Sequence, residues 1–424
     1  MNGQAMPGAS AVRGRRAGTR RGRVATALVA GVLMTVVTAC GGGGGDSADG
    51  GKGDGKGGEK PAEAVAQETA ASVAVVRIAP EDGADEVATS GGLRIGAENG
   101  KLTEVVVEDS KGNAVDGEIS ADGATWEPAH HLAASTRYKV HAVAKDKDGR
   151  ASAKDIAFTT LTPKNTFIGH FTPEDGAKVG VGMPVSFNFT RGITDPAAVV
   201  KAIEVTADPP VEIRHKWHGN DRLDFRPEQY WKPGTKVSVK LNLNGVEGRP
   251  GVYGRQAKTF RFTVGRSQVS TVDAKAHTME VVRDGKLLKK LPITAGAPET
   301  TTYNGQMVIT EKYEVTRMNG ETVGFGDEYD IKDVPHAMRL STSGTFVHGN
   351  YWASASTFGS DNVSHGCVGL RDVRGGGDGS QPAAWFFERS MIGDVVVVKN
   401  SKDKKIQWHN GLNAWNLPWA EWEK

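Results

Sequence analysis

Two segments of this chain repeat one another's landmarks, and that repeat limits the fold more than any other feature. "IAPEDGADEV" (Ile78–Val87) returns as "FTPEDGAKVG" (Phe171–Gly180), which sets Pro80 and Pro173 93 positions apart. Further on, "ATWEPAHHLAASTRYKVHAVAKDKDG" is echoed by "LDFRPEQYWKPGTKVSVKLNLNGVEG", and "IAFTTL" by "FRFTVG". Landmarks kept in the same order predict a duplicated domain. The matched pieces alternate with a period of two. Tyr138, Val140 and Ala142 share one face of "TRYKVHAV", as Val237, Val239, Leu241 and Leu243 do in "TKVSVKLNL". Alternation broken by Gly, Pro, Asp and Asn predicts antiparallel strands in two tandem β-sandwiches, residues 72–162 and 163–265. These read as spacers. Trp217, Tyr230 and Trp231 leave a binding role open, but aromatics in such domains mostly pack cores or domain interfaces.

A third region, residues 266–400, is also β-rich. "TMEVVRDGKLLKKLPIT" reads as strand, Asp284-Gly285 turn, strand. In "VRGGGDGSQPAAWFFERS" the triple glycine predicts a loop and Pro382 the first turn of a helix, with Trp385 and Phe386 packing the domain. With 38% hydrophobic and 24% charged residues the chain has enough apolar material for packed cores. Its net charge of +2 offers no case for nucleic acid.

The first 40 residues read differently from the rest. Arg13, Arg15, Arg16, Arg20, Arg21 and Arg23 precede an uncharged run, Val24 to Ala39, too short for a comfortable membrane span. A basic stretch followed by an apolar one predicts a secretory signal. Val37-Thr38-Ala39-Cys40 resembles a bacterial lipobox, with Val37 in place of the usual Leu. The resemblance implies that Cys40 is lipidated and that the protein is exported and anchored on the outer face of the plasma membrane. An ordinary cleaved signal or a retained anchor helix is the alternative. Residues 41–71, Gly-rich and without an aromatic, read as a tether with an r.m.s. reach of roughly 30 Å.

If Cys40 is consumed by lipid, Cys367 is the one thiol left in an exported chain, since the sequence has 2 cysteines. It lies in "SHGCVGLRD", with His365 two residues before it and His348 further upstream in "FVHGNYW". An ordinary thiol is mostly protonated at neutral pH, so a nucleophilic cysteine needs a base, and a nearby histidine can supply one. If "SHGCVGL" runs as a strand, His365 and Cys367 share a face. Gly366 permits the close backbone approach of an oxyanion hole. Zinc is the competing use of two histidines and a cysteine, but the spacing is poor and a second thiolate is lacking. A small buried cysteine with no chemistry also stays open.

The motif "SHGC", a preceding histidine followed by Gly349, "STSGTFVHGNYW" and "ITAGAPETTTYNGQMVITEKY" together resemble the L,D-transpeptidases, cysteine enzymes with a YkuD-type β-rich catalytic domain. Thr302-Tyr303 stands where Thr-Pro is common. The tail "NGLNAWNLPWAEW", within residues 401–424, is similar to the C-terminal extension of actinobacterial members that carry two immunoglobulin-like domains behind a lipoprotein signal.

The resemblance implies Cys367 as nucleophile, His348 as base, and Gly349 acting through its backbone carbonyl. His365 and Gly366 would shape the thiol pocket, with the N–H groups of Gly366 and Cys367 receiving an oxyanion. Tyr329 would belong to a flap over the donor stem, and Met318, Ser343, Gly344, Trp352 and Ser364 to the substrate cleft. Gly369 departs from the family, which places Asn or Arg there; either a substrate contact is missing or Arg371 replaces it. The implied reaction is 3→3 cross-linking of peptidoglycan stem peptides without a cofactor, and the implied inhibitors are carbapenems. A wall-binding lipoprotein without catalysis, or a transfer to water or to a protein amine, are the alternatives.

Overall fold

A computed structural model describes residues 71–324 and 326–422. Cys40, the signal and residues 41–70 of the tether lie outside the described residues.

Each of the first two domains pairs two sheets across its own core. In the first, Val75–Ala79, Arg94–Glu98, Thr125–Pro128 and Gly117–Ile119 form one sheet, and Lys101–Asp109, Arg137–Lys145 and Ala151–Thr159 the other. Tyr138, Val140, Ala142 and Ala144 are buried in alternation, beside Ile156 and Phe158 of the neighbouring strand and in one core with Trp126 of the other sheet. The second repeats the plan. Ile203–Asp208, Lys236–Asn242, Ala257–Val264 and Lys178–Val179 stack against Gly169–Thr172, Val185–Phe189, Arg222–Pro227 and Ile213–His218. Val237, Val239 and Leu241 point inward with Phe187, Phe260 and Phe262. The echoed landmarks occupy matching places, because Pro80 and Pro173 each follow a sheet strand, Val75–Ala79 and Gly169–Thr172.

The aromatics flagged in the second domain are used for packing. Trp231 is buried and donates its indole N–H to the Met183 carbonyl at 2.7 Å. Trp217 stacks on Phe189 at 5.4 Å between centroids. Tyr230 reaches the Gln306 side chain of the third domain.

The third domain is built on a nine-stranded sheet. Its order is Gly305–Val308, Val395–Lys399, Gln268–Asp273, Thr278–Arg283, Lys286–Thr294, Val368–Arg371, Phe346–Asn350, Asp330–Arg339, Glu311–Asn319. The hairpin turns at Asp284 and Gly285, both at positive φ (48° and 79°) as a tight turn of the mirror-image kind requires. The helix Pro382–Arg389 starts at the predicted proline and buries Ala383 and Phe386 against Val347, Val368 and Leu370.

Two strands decide where the chemistry lies. Phe346–Asn350 and Val368–Arg371 run parallel, with His348 opposite Gly369. Val347, Val368 and Leu370 face the helix side, so His348 and Asn350 project from the other face. The second and third domains pack closely. A Cβ on Gly180 would sit 2.2 Å from the Asp394 nitrogen, so the backbones touch where a side chain has no room. At the same junction the Arg266 guanidinium holds the buried Asp394 carboxylate at 2.8 Å.

Candidate active site

Cys367 precedes the first residue of its strand. Gly366 before it has φ +103°, a left-handed conformation that favours glycine. This corrects the expected strand geometry, since a left-handed residue between His365 and Cys367 breaks the alternation that would have put both side chains on one face. The turn is locked by Ser364, whose hydroxyl donates to the Cys367 carbonyl at 2.6 Å and accepts the Gly366 N–H at 3.2 Å. That N–H is therefore occupied, and its assignment to an oxyanion is corrected on the same ground.

The Cys367 thiol donates to the Gly344 carbonyl at 3.6 Å. Burial pushes its pKa up to about 11, so it rests as a neutral thiol. His348 is buried, and its Nδ1 lies 2.8 Å from the carbonyl oxygen of Gly349. That contact makes Nδ1 the protonated nitrogen and leaves Nε2 as the acceptor. Burial also holds the imidazole pKa below its ordinary value, with the Gly349 carbonyl and Asp372 opposing, so His348 is a neutral base at pH 7. Gly349 cannot be another residue without rearrangement. A Cβ there would come within 2.2 Å of Asp372 Oδ2 and 2.8 Å of Pro335 Cγ.

The two groups line one cavity of about 170 Å³. Met318, Tyr329, Trp352, Ser364 and His365 line it too, together with Ile331, Asn350 and Val363, which sequence reading did not name. Met318, Tyr329 and Ile331 come from the long hairpin Glu311–Asn319 and Asp330–Arg339, whose arms are tied by Arg317 and Asp330 at 2.6 and 2.9 Å. Tyr329 packs against His365, with centroids 5.0 Å apart. Burial, with help from Cys367 and Glu328, raises its phenol to about 12. His365 is turned to the mouth, where Nε2 lies 3.2 Å from Glu328 Oε2. Trp352 stacks on His348 at 5.7 Å and 16° while remaining 44% exposed, an aromatic wall at the opening.

Ser343, Gly344 and Gly369 are not among the lining residues, although the Gly344 carbonyl holds the thiol. Ser343 turns its hydroxyl to Ser341 and to the Asn410 side chain of the tail, at 3.2 and 2.8 Å. Gly369 is buried in the sheet, and a Cβ on it would meet Thr294 Cγ2 at 2.7 Å. Arg371 is exposed at the strand's end and is not among the lining residues, so it does not replace the side chain missing at 369.

The resting state makes a testable statement about pH. With a pKa raised to about 11, the thiolate fraction of Cys367 grows about tenfold per pH unit through neutrality. Alkylation of Cys367 by iodoacetamide, located by peptide mass, should climb log-linearly from pH 7 to pH 9 without levelling off. A plateau below pH 8 would instead indicate a preformed thiolate–imidazolium pair.

The family described as the L,D-transpeptidase catalytic domain matches residues 267–398, and that described as a bacterial Ig domain matches residues 84–247. L,D-transpeptidase 2 of Mycobacterium tuberculosis (strain CDC 1551 / Oshkosh) is 33% identical over 344 residues, covering 80% of this chain and 82% of that one. L,D-transpeptidase 5 of Mycobacterium tuberculosis (strain ATCC 25618 / H37Rv) is 30% identical over 350 residues, covering 81% and 75%. Among solved structures, L,D-transpeptidase 3 from Mycobacterium tuberculosis in complex with a faropenem-derived adduct is 27% identical with a TM-score of 0.44, covering 55% of this chain and 97% of that one. Because the curated relatives align through the sandwiches as well as the nine-stranded sheet, the chain belongs to the L,D-transpeptidase family.

Proposed function

We propose that this transpeptidase joins peptidoglycan stem peptides by 3→3 cross-links through a thioester on Cys367. One observation supports the reading above the rest: a thiol and a neutral imidazole, the latter fixed by the Gly349 carbonyl, line one half-enclosed cavity. Neither group is charged at rest. His348 Nε2 therefore takes the thiol proton as sulfur attacks, and no ion pair has to be broken first.

Sulfur adds to the carbonyl that joins the third stem residue, a diamino acid, to the terminal D-alanine of a tetrapeptide. The carbonyl oxygen gains the electron pair, and the N–H of Cys367 is the backbone donor proposed to receive it. Collapse breaks the amide bond, and D-alanine leaves with the proton held by His348. The side-chain amine of a neighbouring stem then gives a proton to His348 and attacks the thioester, releasing the thiol. Water in place of the amine gives a carboxypeptidase. Carbapenems, which present a strained carbonyl, would acylate the same sulfur. The arginine-rich start, the apolar run and Cys40 support export and lipid anchoring on the outer face of the plasma membrane, facing the wall.

The test is product analysis with disaccharide-tetrapeptide. Release of D-alanine with a dimer of the 3→3 mass is the expected result. Release without dimer would assign water as the acceptor, and transfer to an added protein amine would assign protein anchoring. Stem binding without any release would overturn catalysis in favour of a binding module.

A further inference from the structure

Asn350 ends the strand that carries His348 and is buried. Its carboxamide is placed by the backbone that follows. Oδ1 accepts the N–H of Trp352 at 3.2 Å and that of Ala353 at 2.9 Å, an arrangement that turns the chain back on itself. The turn brings the Trp352 ring onto His348. The same carboxamide lines the cavity with Cys367 and His348. It also stands beside Gly369, whose Cβ, if present, would lie 3.5 Å from both Cβ and Nδ2 of Asn350.

With Oδ1 engaged by two backbone donors, the remaining hydrogen-bonding capacity directed to a ligand is the two N–H groups of Nδ2. A group that can only donate selects an acceptor. We infer that Asn350 is a substrate-binding and positioning residue of this site: Oδ1 fixes the Trp352 wall, and Nδ2 donates to an acceptor oxygen of the donor stem next to the scissile bond. The inference rests on the acyl-transfer reading of the cavity and adds to it the group that the position two residues after the cysteine does not supply.

Two substitutions separate the roles. Asn350→Asp keeps an oxygen for the Trp352 and Ala353 N–H groups but has no donor and carries a charge that repels an acceptor oxygen. Asn350→Ala removes both functions. Steady-state turnover of disaccharide-tetrapeptide by the full chain should show KM raised about tenfold in Asn350→Asp, with kcat within about threefold of the unsubstituted chain and an unchanged thermal transition. Asn350→Ala should raise KM similarly and also lower kcat about tenfold, because Trp352 no longer holds its place on His348. An unaltered KM in Asn350→Asp overturns the donor role, and an unaltered kcat in Asn350→Ala overturns the positioning role. If the unsubstituted chain itself releases no D-alanine, the acyl-transfer reading fails, a result distinct from either.

Discussion

Cys367→Ala is expected to abolish D-alanine release, dimer formation and the carbapenem adduct together, while leaving the thermal transition close to that of the unsubstituted chain. The reasoning starts from local structure. The turn that presents the thiol is held by Ser364, through the Cys367 carbonyl and the Gly366 N–H, and none of these bonds involves sulfur. The donation of sulfur to the Gly344 carbonyl is long, 3.6 Å, and worth little to stability. Removing Sγ therefore deletes the nucleophile without unlocking its surroundings. His348→Gln should have a smaller effect on adduct formation than on turnover, because a reactive carbonyl can still capture the small thiolate fraction whereas the amine acceptor also requires a base. Residual cross-linking in Cys367→Ala would sink the assignment of the nucleophile.

The second large effect is expected 141 positions away from the thiol in sequence, at Arg226. This arginine is 2% exposed in the strand Arg222–Pro227 of the second sandwich. Its guanidinium lies 4.3 Å from the ring of Trp422, 5.1 Å from Trp415 and 5.2 Å from Trp419, all in the C-terminal tail. It donates to the carbonyls of Pro227, Glu228 and Leu417 at 3.0, 3.2 and 2.8 Å. Burial pulls its pKa down to about 10, which still leaves it charged at neutral pH.

The tail it holds is in turn bonded to the third domain. Asn413 Oδ1 accepts the Val308 N–H at 2.8 Å, Asn416 Oδ1 the Gln306 N–H at 2.9 Å, and Asn413 Nδ2 donates to the Leu340 carbonyl at 2.9 Å. Asn410 Oδ1 accepts the Ser343 N–H at 3.1 Å, one residue before the carbonyl on which the thiol rests. Arg226→Ala leaves three carbonyls without a charged donor and three rings without their cation. The expected loss is about 3 kcal/mol, read as a lower thermal transition by several degrees. Turnover should fall with it, since the Ser341–Thr345 turn loses part of its support. Arg226→Lys should recover only part of the loss, because an ammonium cannot reach three carbonyls in the planar fork of a guanidinium. An unchanged transition in Arg226→Ala would show that the tail is held by its asparagines alone.

Much of this molecule was readable from residues. Alternation in "TRYKVHAV" and "TKVSVKLNL" gave central strands, Asp284-Gly285 gave a hairpin, and Pro382 gave a helix start, because each rests on local backbone preference. Cys367 and His348 were singled out by their motif's resemblance to a family, since residue types alone left zinc binding and an inert buried cysteine open. What escaped reading depends on contacts distant in the chain. Ser343 was assigned to the cleft by the family resemblance, yet its hydroxyl is drawn to Asn410, 67 residues on. His365 was expected beside the thiol, and the left-handed Gly366 turns it to the cavity mouth. Asn350 carried a partial signal, an asparagine placed to accept two following N–H groups, which marks a turn but does not say that the turn walls a cavity. Nothing local in "NAWNLPWAEW" foretells that its tryptophans enclose an arginine from another domain.

The most direct measurement is intact-protein mass spectrometry of the purified chain after incubation with a carbapenem and, separately, with disaccharide-tetrapeptide, followed by peptide mapping. An acyl adduct on Cys367 is expected in both cases, the second transient and discharged by an added stem amine. An adduct on any other residue, or none with either reagent, would contradict acyl transfer through this thiol.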